Sequence, residues 1–306
     1  MKVLIIGLGS IAKKHIASIL KLAPDTLFYA LRSNVNSSIQ DNIENIYDIN
    51  DTPKDIDYII ITNPTSIHAS TINKVIYLNK PIFIEKPIFD KIEENVDLVS
   101  LVQKNNIKTY IACNLRFHPS ILFLKNFMGK TIKKINEVNV YCGSYLPSWR
   151  GNTNYSESYS AKKNMGGGVH LDLIHELDYV IWLFGLPMKY SSKKRKVSQL
   201  HIDSYDYCSY NLEYNVFDVS IILNYYRIEP KREIEIIYED DVYKCDLLSS
   251  KITNSKNELI FIDKDFHIND TYLNQADYFI KNINTLDPCM NNIEESFNIL
   301  KIALYE

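Results

Sequence analysis

Gly7, Gly9 and Ala12 stand at the spacing G-x-G-x-x-A, directly after the apolar run Val3 to Ile6. A helical pattern follows, with Ile11, Ala12, Ile16, Ile19 and Leu20 on one side and Lys13, Lys14 and Lys21 outside. In that setting each small residue has a physical task. Gly7 permits a tight turn, Gly9 lets the backbone approach a phosphate closely, and Ala12 lets the helix pack near the strand. The first N–H groups of the helix, those of Ser10 and Ile11 among them, face an anion placed there, and the helix dipole favours it. The pattern points to the pyrophosphate of a dinucleotide. The alternative is a strand–turn–helix that binds nothing.

A second set of reactive side chains follows Met165: Met-Gly-Gly-Gly-Val-His-Leu-Asp-Leu-Ile-His-Glu-Leu-Asp-Tyr. At ~100° per residue, His175, Glu176 and Tyr179 share a stripe with Asp172 on one predicted helix over 168–184. Val169, Leu173, Leu177, Val180, Ile181 and Phe184 form an apolar arc. A stripe of acid and imidazole on an otherwise apolar helix needs partners, because unpaired burial is costly. Either a cleft between two domains or an internal Asp–His hydrogen bond would supply them. No metal site is expected. The zinc motif H-E-x-x-H fails at Tyr179, and His170, Asp172 and His175 point in different directions.

The elements that must position these groups can be read in order. Strands are predicted at 27–31, near 46–47, at 57–61, 81–84 and 108–113, with helices at 66–78 and 93–105 between them. Alternating strands and helices predict a doubly wound parallel sheet, with ligands at the carboxyl ends of the strands. Thr62, Asn63 and Pro64, then Glu85, Lys86 and Pro87, then Asn114 and Arg116 all fall at such ends, and His68 lies in the first turn of the following helix. Thr62, Asn63, Pro64, His68, Glu85, Lys86 and Asn114 are therefore expected on the cofactor side, and Arg116 beside the substrate. Arg32 and Ser33 occupy the end of the second strand, where an acidic residue usually meets the ribose of NAD. A guanidinium suits a 2′-phosphate, which favours NADP over NAD.

Beyond about residue 130 the pattern changes. Alternating strands are predicted at 136–141, 189–199, 206–214, 217–227, 232–239 and 241–248, with helices at 271–283 and 291–304. Strands without helices between them predict a mostly antiparallel sheet. Two domains follow, 1–118 and 119–306.

Composition bounds the rest. A net charge of −3 and 46% apolar residues describe an ordinary soluble chain with no basic excess for nucleic acid. The five cysteines form no C-x-x-C pair, as expected of reduced thiols in the cytoplasm. No apolar run approaches the ~20 residues of a membrane span. The run Lys193–Lys196 reads as a solvated strand end.

Four motifs in this order resemble the Gfo/Idh/MocA family of nicotinamide-dependent oxidoreductases. They are Gly7-x-Gly9-x-x-Ala12, Glu85-Lys86-Pro87, Asn114-x-Arg116, and Gly166-Gly167-Gly168 followed by Asp172 and His175. The resemblance implies an N-terminal Rossmann domain and a C-terminal α+β domain whose open sheet makes homodimers or homotetramers. It implies hydride transfer between NAD(P) and a carbon of a sugar, a sugar derivative or a cyclic polyol. Lys86 matches the family's active-site lysine and Asp172 its acid. Members often carry the histidine four residues after that acid; here position 176 is Glu and the histidine is His175. That departure leaves His175 and Glu176 both as candidates for proton transfer. The form Asp-Leu-x-His-Glu-x-Asp-Tyr resembles a branch associated with bacterial surface-polysaccharide and acidic-sugar pathways.

Chemistry agrees with these assignments. A hydride leaves a secondary alcohol carbon as its hydroxyl proton is removed, and an amine or imidazole in reach can take that proton. Lys86, Asp172 and His175 are the expected catalytic group. Lys86, Arg116, Trp149, Asp172, His175 and Glu176 are expected to meet the substrate. Trp149 stands in Ser148-Trp149-Arg150, with Tyr155 and Tyr159 after it. Aromatic faces and a guanidinium suit a sugar bearing phosphate, carboxylate or nucleotide, although a surface loop in a chain with 22 tyrosines explains them too. A nucleotide-binding sensor that kept the fold without turnover is the alternative, and the joint presence of Lys86, Asp172 and His175 argues against it.

Overall fold

β1 (Lys2–Ile6) forms from a β-branched run with both faces covered, and Val3, Leu4 and Ile5 are fully buried. The computed structural model describes residues 1–34, 42–131, 133–151 and 154–305. After β1 come α1 (Ser10–Leu22), β2 (Leu27–Leu31), β3 (Ile43–Ile46), β4 (Tyr58–Ile61), α2 (His68–Val75), β5 (Ile82–Ile84), α3 (Val96–Lys104) and β6 (Thr109–Ile111). The six strands pair in parallel in the order β3-β2-β1-β4-β5-β6. This is a doubly wound Rossmann sheet whose order reverses between β1 and β4. Part of the polar stretch that follows Arg32 and Ser33 lies outside the described residues.

The second sheet contains β7 (Ile135–Gly143), β8 (Lys189–Arg195), β9 (Tyr207–Glu213), β10 (Asp218–Asn224), β11 (Lys231–Tyr238), β12 (Val242–Asp246), β13 (Lys251–Thr253) and β14 (Leu259–Ile262). Its order is β14-β13-β12-β11-β7-β10-β9-β8. β7 and β10 run parallel, and the other pairs are antiparallel. Val138, Val140, Val219, Ile221, Ile234 and Ile236 fill the covered face, and Glu137, Asn139, Ser220 and Glu235 alternate with them. β13, β14 and α4 (Pro119–Met128) are absent from the sequence reading. The first two are too short to show a period. In α4 the consecutive apolar residues Ile121 to Leu124 hide the helical one.

The expected continuous helix over 168–184 is two helices, α5 (Val169–Asp172) and α6 (His175–Phe184). Leu173 leaves the helical region at φ −99°, ψ 32°. The single polar stripe is thereby divided, and Asp172 and Glu176 meet different partners.

The chain separates into two compact units, Met1–Asn114 with Ile268–Leu300, and Leu115–His267 with Lys301–Glu306. The expected division placed everything after 118 in the second domain. Instead α7 (Ile268–Asn282) and most of α8 (Ile293–Leu304) belong to the first unit. The reason is aromatic packing on the Rossmann sheet. Phe279 of α7 meets Tyr58 edge-on at 5.2 Å and Phe83 at 5.4 Å. Thr271 accepts a hydrogen bond from Asn114 Nδ2 at 2.6 Å. Asn291 Nδ2 donates to the Ile111 carbonyl at 2.8 Å. Among the described residues no helix is long and apolar enough to cross a membrane.

Candidate active site

The carboxyl ends of β1 and β4 meet at the point where the sheet order reverses. Gly7 has φ +96°, and a Cβ there would lie 2.4 Å from the Asn63 backbone nitrogen. Only glycine fits that turn. Gly9 differs: a Cβ on it would meet nothing within 4 Å. Gly9 is the N-cap of α1 and supplies no side-chain cap, and no acidic residue occupies the first turn. The helix therefore presents donors and positive dipole to open space beside Ser10 and Ile11. Thr62 Oγ1 donates to the Gly7 carbonyl at 2.5 Å and fixes the loop from the other side. Asn63 Oδ1 is buried without a hydrogen-bond partner among the described residues, and so is Arg32 Nη1. Ser33 and Pro64 are exposed. A helix N-terminus that faces open space fits a dinucleotide phosphate, while the Asn63 carboxamide oxygen, an acceptor, suits a hydroxyl donor.

Lys86 follows β5, half-buried, and its backbone N–H donates to Glu85 Oε2 at 3.1 Å. Glu85, expected on the cofactor side, is buried against α1, with Oε1 2.5 Å from His15 Nε2. His68 too has internal partners. It is 1% exposed, and Nε2 lies 2.9 Å from the Asn63 carbonyl. Nδ1 lies 3.1 Å from the Pro87 carbonyl and 3.0 Å from that of Ile88. Burial lowers its pKa. Asn114 spends its side chain on Thr271. His68 ties backbone carbonyls, Glu85 the His15 ring and the Lys86 N–H, and Asn114 the Thr271 hydroxyl.

In the second unit Arg116 and Glu176, both expected beside the substrate, form internal ion pairs. Arg116 donates from Nε and Nη2 to Asp178 at 2.9 and 2.8 Å, with both side chains almost fully buried. Glu176 is fully buried and accepts from Arg232 Nε at 2.7 Å. Buried charges persist only when paired in this way, and removing one partner strands the other. Next to this pair, burial pushes the Cys142 thiol up to about 12.

Asp172 is 6% exposed. It accepts a hydrogen bond from Tyr225 Oη at 2.5 Å, and the Tyr159 hydroxyl bonds it too. Trp149 lies edge-on to Tyr225 at 5.3 Å, and its Nε1 donates to Ser144 Oγ at 2.9 Å. The Arg150 guanidinium lies 5.6 Å over the Tyr159 ring. The buried carboxylate thus lies against Tyr225, with Trp149 beside that ring and Arg150 over Tyr159. His175, three residues on, is half-buried at the start of α6. His170 is separate from this group, and burial pushes it down to about 3, so it stays neutral.

Sequence reasoning missed His15, Tyr225 and Arg232. His15 had a signal, because it stands between Ile11 and Ile19 on the packed side of α1. Tyr225 and Arg232 had none, since each acts on a residue more than fifty positions away. No cluster of three or more potential metal ligands occurs among the described residues.

Fold and site together define a nucleotide-linked oxidoreductase scaffold. Residues 1–112 match the family model for the NAD-binding Rossmann fold of the GFO_IDH_MocA oxidoreductase family, and residues 130–237 match that family's C-terminal alpha/beta domain. The chain belongs to the Gfo/Idh/MocA family. An uncharacterized oxidoreductase from Synechocystis sp. is 25% identical over 132 residues, which span 43% of this chain and 35% of that protein. The UDP-N-acetylglucosamine 3-dehydrogenase GnnA from Acidithiobacillus ferrooxidans superposes with a TM-score of 0.79 at 18% identity, over 99% of this chain and 95% of its own. A myo-inositol dehydrogenase from Corynebacterium glutamicum gives 0.78 at 18%, over 99% and 94%. An oxidoreductase from Agrobacterium radiobacter, solved with NAD+, L-tartaric acid and magnesium, gives 0.80 at 14%, over 99% and 94%. At these identities the likeness to solved structures is one of fold.

Proposed function

We propose that the chain is an NAD(P)-dependent dehydrogenase or reductase acting on a carbon of a sugar, a sugar derivative or a cyclic polyol. The observation that carries this is the open, uncapped N-terminus of α1 at Gly9, on the same sheet end that bears Lys86. The bound nicotinamide supplies the hydride acceptor or donor. Lys86 holds or moves the proton of the substrate oxygen. Asp172, which accepts from Tyr225, is assigned as the catalytic acid group. Between the two remaining candidates, the ion pair of Glu176 with Arg232 favours His175 for proton transfer. Trp149 is assigned to the substrate. Relatives of this fold that are named as sugar and inositol dehydrogenases support the substrate class. The Asp-Leu-x-His-Glu-x-Asp-Tyr form supports a place in bacterial surface-polysaccharide or acidic-sugar metabolism. The five free, buried thiols agree with action in the cytoplasm. The test is nicotinamide absorbance change over a panel of sugars, sugar acids, cyclic polyols and nucleotide sugars. Turnover of one class is the expected result, and a nucleotide bound with no turnover across the panel would favour a sensor.

NADP is the preferred cofactor in this reading, because Arg32 keeps a buried guanidinium nitrogen without a partner among the described residues. Arg32→Ala is expected to weaken NADPH binding by roughly 1.5–3 kcal/mol, the range for a charge-assisted hydrogen bond, and to leave NADH nearly unchanged. Titration calorimetry with both nucleotides checks this; equal losses for both would remove Arg32 from the 2′-phosphate.

The open face of the second sheet is assigned to pairing with further copies of the chain, as a homodimer or homotetramer. Light scattering at micromolar concentration should give at least twice the 35.6 kDa of one chain, and a monomer mass would refute the assignment.

A further inference from the structure

The segment that carries Lys86 is gripped on both sides by a buried imidazole. Before it, Glu85 Oε1 lies 2.5 Å from His15 Nε2, and His15 belongs to α1, whose N-terminus is the phosphate opening. After it, the Pro87 and Ile88 carbonyls lie 3.1 and 3.0 Å from His68 Nδ1. The other nitrogen of His68 lies 2.9 Å from the carbonyl of Asn63, the residue against whose backbone the Gly7 turn is packed. Both histidines are 1% exposed. The links close a ring: glycine turn, Asn63, His68, the Lys86 segment, Glu85, His15 and back into α1. We propose that His15 and His68 are the positioning residues of Lys86, tying its amine to the geometry of the glycine turn and α1. The inference rests on the reading of Lys86 given above only for its kinetic consequence.

The physical case is one of unsatisfiable alternatives. Glu85 is buried, and removing the N–H that faces it leaves a carboxylate oxygen desolvated. Carbonyls face both nitrogens of His68, whose neutral ring carries one N–H, and an apolar ring in its place removes that donor from the carbonyl it serves. In either case the segment 85–88 must move to find water or another donor. A displacement of about 1 Å at a catalytic group costs up to about 10²-fold in rate. The two sites differ in what can replace the imidazole. Glu85 needs one donor, which the carboxamide of Gln supplies. The rigid ring of His68 also fills the space between carbonyls on its two sides, which the flexible chain of Gln does not, although Gln supplies a donor to one of them.

The experiment compares His15→Phe, His15→Gln, His68→Phe and His68→Gln with the unmodified chain. The first readout needs no turnover: the rate at which trinitrobenzenesulfonate labels Lys86, mapped by peptide mass spectrometry against Lys74 and Lys91. Both Phe variants should change labelling of Lys86 severalfold and leave the two control lysines unchanged. His15→Gln should restore it, and His68→Gln should restore it only in part. The second readout is kinetic. Once a substrate is known, kcat should fall by up to about 10²-fold in the Phe variants with little change in nucleotide affinity. If a Phe variant does not fold, the Gln variant at that position carries the comparison, with unchanged Lys86 labelling in His68→Gln overturning the role of His68. Lower thermal stability with Lys86 labelling and kcat both unchanged would overturn the proposal and leave the histidines structural. Altered labelling of Lys86, beside a Lys86→Ala variant of undiminished kcat, would support the positioning ring and refute the catalytic reading.

Discussion

Lys86→Ala is expected to lower kcat by about 10²–10⁴-fold, the usual contribution of a positioned acid or base, while dinucleotide affinity changes little. The expectation follows from where the two functions lie. Phosphate recognition is assigned to the α1 N-terminus and the Gly7–Asn63 turn, which use backbone groups. Lys86 stands at the end of β5, two strands from β1 in the sheet order, and its side chain is half-buried. Removing the amine takes away a proton acceptor and leaves the phosphate site intact. Asp172→Asn should depress kcat by a comparable factor, because it keeps the shape of the side chain but removes its charge beside Tyr225. Steady-state kinetics on an identified substrate, with nucleotide titration in parallel, separates the effects. Wild-type turnover by Lys86→Ala would end the catalytic assignment. Equal losses in kcat and nucleotide affinity would move Lys86 to the cofactor.

The second large effect concerns the two glycines, which should fail in different ways. Gly9→Val is expected to abolish nucleotide binding and to leave the fold intact, since a Cβ at Gly9 meets no protein atom within 4 Å. The added side chain would occupy the space a pyrophosphate needs at the helix N-terminus. Gly7→Ala should instead destabilise the protein itself. Its Cβ would fall 2.4 Å from the Asn63 nitrogen, and φ +96° is a conformation L-residues avoid. Thermal unfolding and titration with NADPH and NADH distinguish the two. A folded Gly9→Val protein with unchanged affinity would remove the nucleotide from this position. A Gly7→Ala protein of unchanged stability would contradict the packing of the turn.

Local chemistry made much of this protein legible without coordinates. The run Val3–Ile6, the glycine spacing and the α1 pattern are contiguous, and each constrains its neighbour through bond geometry and period. The strand after each Rossmann helix announced itself in the same way. So did the alternation along β7, β9, β10 and β11. Lys86 and Asp172 could be named because each stands in a motif whose residues adjoin it.

What tertiary structure decided is the partner of every buried polar group. Arg116 and Asp178 are 62 residues apart, Glu176 and Arg232 56, and His15 and Glu85 70. No period in the chain relates such positions, so the internal ties of Arg116, Glu176, Glu85 and His68 could not be read from it. The same holds for α7. Its amphipathic pattern predicts that it will cover a core, but the pattern is silent on which one. The rings of Tyr58 and Phe83 on the Rossmann sheet settle that choice, because only folding places them opposite Phe279. Sequence determines which faces must be buried, through side-chain periodicity. Folding alone determines what they are buried against, because that depends on contacts between segments far apart in the chain.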